Sequence, residues 1–322
     1  SSAVLDVEAL QDGTLRRTLL VAARDDDSIT AYDVTDGADG APRLNCGRSN
    51  GDMGLCADGY RLGGDENGDL DLGADPAALA LERRPGGEVV LHSVATGDGR
   101  VVPLRMAFVA GGGVSATIDE TLSLGAGLSG VIHAPLVRRT YLTDARAARL
   151  HTIGLDDGSD GKLALTTHAG VTLPAASSRE YGRGLALSSD EGRLYVAYRS
   201  PNALLVVDVA PLPTGEPHDA LVDIIGLGGR PAQVVVAASG PGGRDLVYVS
   251  CFGTDDIWVV DPSMRRVIDV IRLAHSPYGM AVVDVPGRGL TLYASLFSKH
   301  SIVAVPLAEG ASDRHRVVET IQ

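Results

Sequence analysis

From Asp65 to Asp75 the chain reads Asp-Glu-Asn-Gly-Asp-Leu-Asp-Leu-Gly-Ala-Asp, with oxygen side chains at alternate positions and a glycine fourth in the run. Alternating oxygens on a tight turn can wrap a hard cation, and Ca²⁺ takes six to eight such ligands. Asp65, Asn67, Asp69, Asp71 and Asp75 are the candidate ligands. An ion there would neutralise a stretch that holds five carboxylates and no Lys or Arg, so its role would be structural; a solvated acidic loop is the competing reading. Cys46 and Cys56 lie ten apart just upstream, whereas Cys251 sits in an apolar run. A Cys46–Cys56 disulfide with Cys251 as a buried thiol is the simplest pairing, and such a bridge persists in an oxidising compartment. Two unpaired loop thiols are the alternative.

Asp65, Asn67 and Asp69 resemble the first three ligands of a dockerin or EF-hand type loop. The sixth position is Leu70 and the twelfth is Pro76, where an EF-hand places Gly and a bidentate Glu. Asp75 would have to end the loop one residue early. The eight histidines show no metal-ligand spacing along the chain. His133 and His275 fall on or just before strand-like runs and are the pair a folded ring could bring together. The glycine-rich segments, such as Gly111-Gly112-Gly113 and Gly226-Leu227-Gly228-Gly229, precede no helix and no Lys-Ser/Thr, so they read as turns and not phosphate cradles. Gly-x-Ser-x-Gly and Cys-x-x-Cys-His are both absent. No catalytic residue, haem site or nucleotide site is therefore assigned.

Composition narrows the partners. Of 322 residues, 41 are Asp or Glu against 28 Lys or Arg, for a formal charge of −13. The basic residues are scattered arginines that could not neutralise a row of phosphates, so nucleic acid is a poor partner. No apolar run approaches the roughly 18 residues that a membrane-spanning helix needs.

The elements that must position these side chains come in repeats. Leu194-Tyr195-Val196-Ala197-Tyr198 is followed by Leu204-Leu205-Val206-Val207-Asp208, and Val247-Tyr248-Val249-Ser250-Cys251 by Ile257-Trp258-Val259-Val260-Asp261, at one spacing. Copies start at Leu19 and Leu292, and weaker ones at Val89 and Thr140. A run such as Pro76–Leu81, Pro231–Val236 or Pro277–Val282 precedes several units, and an Ile/Val-rich run follows. Short β-branched runs punctuated by Gly, Pro, Asp and Ser are strand and hairpin chemistry. Four antiparallel strands per unit, six units visible, predict an all-β fold, one β-propeller domain over 1–322 with six or seven blades. The insertion at 35–75 carries both loop cysteines and almost no strand pattern, and reads as a flap over one face. Small residues such as Ala77, Ala78, Gly184 and Gly279 suit crowded inner strands. Asp33, Asp208 and Asp261, which close the third strand of their units, are read as turn formers bonding their own backbone.

The Leu-Tyr-Val strand, the strand ending in Val-Asp, the Ile-rich strand and the Gly-to-Pro join resemble the YVTN-type propeller repeat, best over residues 191–285. That resemblance implies an exported or surface-layer propeller with lactonase-like and quinoprotein-like relatives. Such rings have seven blades, so either this one has six or a seventh is lost or too divergent to see; closure would have Val4-Leu5-Asp6-Val7 join the last unit. The expectation is a non-enzymatic, secreted binding or scaffold module, in the periplasm or at the cell surface. Its partner would be a protein or other surface macromolecule, with the chain as a subunit of a larger assembly. A lactonase-like or other metal-dependent hydrolase is the alternative.

Overall fold

A computed structural model describes residues 3–9, 15–23, 26–37, 42–48, 56–64, 70–109, 112–175, 180–273 and 275–322. Among them the chain forms six antiparallel sheets, each taken up and completed before the next begins. This is a six-bladed β-propeller.

The first sheet runs Ala3–Ala9, Leu15–Ala23, Ser28–Asp36, and then Pro42–Asn45 and Arg61–Gly63, both paired with Ser28–Asp36. The second is Pro76–Arg83, Val89–Ala95, Arg100–Phe108, with Val114–Ile118 and Leu122–Ser123 sharing the outer edge. The third is Leu128–Ala134, Arg139–Asp144, Arg149–Asp157, with an outer edge split between Leu163–Thr167 and Val171–Thr172. The last three have unbroken strands: Gly182–Leu187, Arg193–Arg199, Asn202–Asp208, Ala220–Gly226; then Pro231–Ala237, Leu246–Cys251, Asp256–Asp261, Arg266–Arg272; then Pro277–Val285, Gly289–Leu296, Ser301–Pro306, Glu319–Ile321. The repeats read from sequence are the second and third strands of these sheets. In the strongest copies Tyr195 lies opposite Val206 and Tyr248 opposite Val259.

Two compact units emerge from the contacts, Ser1–Leu142 with Thr152–His168, and Thr143–His151 with Ala169–Gln322. In the first, Leu20, Ile29, Leu62, Leu72, Leu91 and Leu104 build the largest core, and Val94, Leu128, Leu142 and Ile153 a second. In the other unit Leu246, Tyr248, Ile257, Leu292 and Val305 form one core, and Tyr195, Leu204, Val247 and Val260 another. Inner strands crowd as expected: a Cβ on Gly184 would sit 2.7 Å from the Gln233 Cα on the next sheet's inner strand.

Three readings are corrected. Ala3–Ala9 pairs with Leu15–Ala23 across Ala3↔Val21 to Ala9↔Leu15, so it opens the first sheet and does not complete the last. The described stretches of the 35–75 insertion are not a flap: Pro42–Asn45 and Arg61–Gly63 supply the outer edge of the first sheet, and Cys46, Tyr60, Leu62 and Leu72 are buried in its core. The third concerns Asp33. Asp208 and Asp261 do accept from the backbone N–H groups of Ala210 and of Ser263 and Met264, whereas Asp33 accepts the Tyr60 hydroxyl at 2.6 Å.

The Cys46–Cys56 disulfide is formed, with Cα atoms 5.2 Å apart. Cys251 is a fully buried free thiol, and burial pushes its pKa up to about 12. No helix among the described residues is long and apolar enough to cross a membrane.

Candidate functional site

In the fourth to sixth sheets the start of the inner strand lies beside the hairpin that joins the second strand to the third, because Gly182 pairs with Tyr198, Pro231 with Cys251 and Pro277 with Leu296. Six short segments therefore gather on one face of this unit. Links between sheets hold them together: Arg199 Nε donates to the Pro231 carbonyl at 3.0 Å, the Arg230 N–H to Asn202 at 3.0 Å and the Ser276 N–H to Asp255 at 2.6 Å.

These segments carry Arg183, Arg199 and Arg230 together with the partly or largely exposed rings of Phe252, Tyr278 and Phe297. Glu180 meets Arg199 Nη1 at 3.2 Å through one carboxylate oxygen and Arg230 Nη2 at 3.6 Å through the other. The Arg199 side chain is only 8% exposed against 55% for Arg230. Burial first, and then the positive charge of nearby Arg183, holds Arg199 below the ordinary arginine range, with Glu180 opposing both. The guanidinium of Arg230 lies 5.8 Å from the centroid of the Phe252 ring. Phe252 stands edge-on to Tyr278 at 6.2 Å and to Phe297 at 6.0 Å. Phe297 and Tyr278 are 67% and 47% exposed, although the chain has only 13 aromatic residues to cover its cores.

Guanidinium forks match carboxylate and phosphate geometry, and exposed aromatic faces stack on flat or ring-shaped groups. Exposed aromatics beside arginine are also the residue types that dominate binding energy at interfaces. The arrangement can therefore grip a ring that bears an anion. Sequence reading missed it, since its residues span more than a hundred positions. One signal was present: Arg, Phe and Phe follow the Tyr strand at equivalent points, as Arg199, Phe252 and Phe297.

A second cluster lies in the first unit. Glu82 Oε2 is 2.8 Å from His92 Nε2 and 3.7 Å from His133 Nδ1, and the two imidazoles stack at 5.8 Å and 9°. Burial drives His133 down to about 4, against the pull of Glu82. Sequence spacing singled out only His133. Its described partners here are Glu82, His92 and Thr140, and His275 belongs to the other unit. A charged or polar residue inside an apolar strand was the available signal for the other two, in Ala80-Leu81-Glu82 and Leu91-His92-Ser93.

Of the calcium candidates, Asp65, Asn67 and Asp69 lie outside the described residues. Asp71 pairs with Arg100 and accepts the Gly73 N–H at 3.1 Å. Its carboxyl is held below the usual range by Arg100 first and by that N–H second. The Asp75 N–H donates to Asp27 at 2.7 Å.

No family model matches the chain. No curated protein matches it in sequence either. Solved structures do match in fold. The periplasmic gluconolactonase PpgL of Pseudomonas aeruginosa aligns at TM-score 0.61 and 17% identity over 95% of this chain and 83% of its own. A protein assigned as a 6-phosphogluconolactonase from Bacteroides uniformis gives 0.63 and 15% over 95% and 82%. A protein of unknown function from Desulfotomaculum acetoxidans gives 0.61 and 13% over 98% and 84%. At these identities the likeness establishes the propeller fold, shared with lactonase-like proteins.

Proposed function

We propose that this is an exported, non-enzymatic propeller that binds a carboxylate-bearing saccharide, a uronic-acid polymer of a cell surface, on the arginine and aromatic face of its second unit. The observation that carries the reading is the convergence of Arg199 and Arg230 on Glu180 beside Phe252 and the exposed Tyr278 and Phe297. Arg230 and Arg183 would take the carboxylate, and Phe297 and Tyr278 the sugar ring. The Cys46–Cys56 bridge and the periplasmic gluconolactonase of the same fold favour export.

Hydrolysis of a sugar lactone is the second reading, favoured by a half-exposed carboxylate, Glu180, set among arginines that could steady a developing oxyanion. The two readings share a ligand class and part at turnover. Calorimetry with oligogalacturonate should show binding that is lost in R230A and F297A. A gluconolactone assay should show no acceleration over buffer. Acceleration abolished by E180Q would establish the hydrolase instead, and neither binding nor turnover would end both.

A further inference from the structure

Glu82 lies near the end of the inner strand of the second sheet, His92 in the middle of the strand beside it, and His133 near the end of the inner strand of the third. We propose that Glu82 Oε2, His92 Nε2 and His133 Nδ1 bind one divalent transition-metal ion, with zinc the natural occupant, in a closed site that ties the second sheet to the third.

All three donor atoms lie within 4.8 Å of one another. A tetrahedral Zn²⁺ ion with bonds of about 2.0–2.1 Å keeps its donors roughly 3.3–3.4 Å apart. The observed 2.8 and 3.7 Å straddle that value, and the two stacked rings, only 9° apart in plane, would have to tilt for both nitrogens to aim at one ion. Two imidazoles and a carboxylate suit zinc or another first-row ion and do not suit Ca²⁺, which takes oxygen. Thr140 Oγ1, 3.0 Å from His133 Nδ1 and 3.5 Å from His92 Nε2, offers an oxygen close to both ring nitrogens.

The surroundings hold the donors in place. Arg84 Nη1 lies 3.4 Å from the other Glu82 oxygen, which turns Oε2 toward the rings. Arg84 is itself fixed by Glu88 at 3.1 Å, Asp157 at 2.9 Å and the Leu155 carbonyl at 3.2 Å. Such outer partners orient metal ligands.

Burial separates a structural role from a catalytic one. The Glu82, His92 and His133 side chains are 6%, 0% and 7% exposed, leaving no open position for a substrate. The site is independent of the saccharide face in the other unit, and its failure would leave that reading untouched.

The test uses the whole chain, stripped with chelator and titrated with Co²⁺ and then Zn²⁺. One equivalent of Co²⁺ should bind with the intense visible bands of a tetrahedral nitrogen and oxygen site. Zn²⁺ should displace it and raise the melting temperature. H133Q should lose the bands and the zinc-dependent rise, whereas D71N should keep both. Circular dichroism of H133Q checks its fold; E82Q, whose loss leaves buried partners, is the less suitable variant. Substoichiometric Co²⁺ with identical melting of stripped and zinc-loaded protein would overturn the proposal. So would a weak octahedral spectrum, or Co²⁺ binding unchanged in H133Q.

Discussion

Arg199 and Arg230 share one carboxylate yet should behave differently when removed. Arg199 is buried and donates to the Pro231 carbonyl, so R199A strands polar groups and should cost on the order of 2 kcal/mol of stability in urea unfolding. Arg230 is largely in water, so R230A should change stability by no more than about 0.5 kcal/mol while abolishing ligand binding. Asp261 makes a comparable case among the turns. It is 2% exposed and accepts from the Ser263 N–H at 2.9 Å, the Ser263 hydroxyl at 2.6 Å and the Met264 N–H at 3.1 Å. D261A should therefore cost about 2 kcal/mol or more, and D208A, with one described backbone contact and a wetter side chain, clearly less. His315 sets a pH dependence. Burial lowers its pKa, and the Asp269 carboxylate at 2.7 Å opposes that without reversing it. Below an unfolded-state value of about 6.5 the unfolded chain takes up a proton that the folded one refuses, so stability falls as pH drops from there. H315Q should flatten that limb of the stability profile. At this scale the sequence was least legible. The turn role of Asp208 and Asp261 could be read locally, whereas Glu82 with His92 and His133, or Arg199 with Arg230, meet only through pairing between strands and between sheets.

Strands were far more legible than single contacts, because a β-branched run bounded by turn residues is a local signal. The insertion shows where that signal fails. Pro42–Asn45 is exposed at every position and Arg61–Gly63 has three residues, so neither displays the alternation of a half-buried strand. Their pairing is imposed by the neighbouring strand Ser28–Asp36 and by the covalent bridge. Closing a loop of about ten residues removes roughly 3 kcal/mol of unfolded-state freedom on the chain-entropy account. Reduction, or C46S/C56S, should lower the melting temperature accordingly and speed proteolysis within 42–63 first. The acidic segment permits a separate check. A Ca²⁺ ion there would compete with Arg100 for Asp71, so R100A should enlarge any calcium-dependent rise in melting temperature. No calcium effect in either protein removes the segment as an ion site.

Over the whole molecule, a repeat of about fifty residues was enough to give the fold class, since each unit must cover both faces of its sheet with neighbours. The blade count and the place of the N-terminal strand were not, because a seventh divergent unit and a strand shared between the ends leave the same trace in sequence. Among the described residues there are six sheets, and each takes its strands from one consecutive part of the chain. That contiguity has a mechanical consequence. Among the described residues no strand from one end of the chain is woven into the sheet at the other, so tension applied between residues 3 and 321 meets no backbone clasp among them. Stretched in an optical trap, the protein should give way in steps of one sheet, each releasing roughly 40 to 60 residues, starting from either terminus.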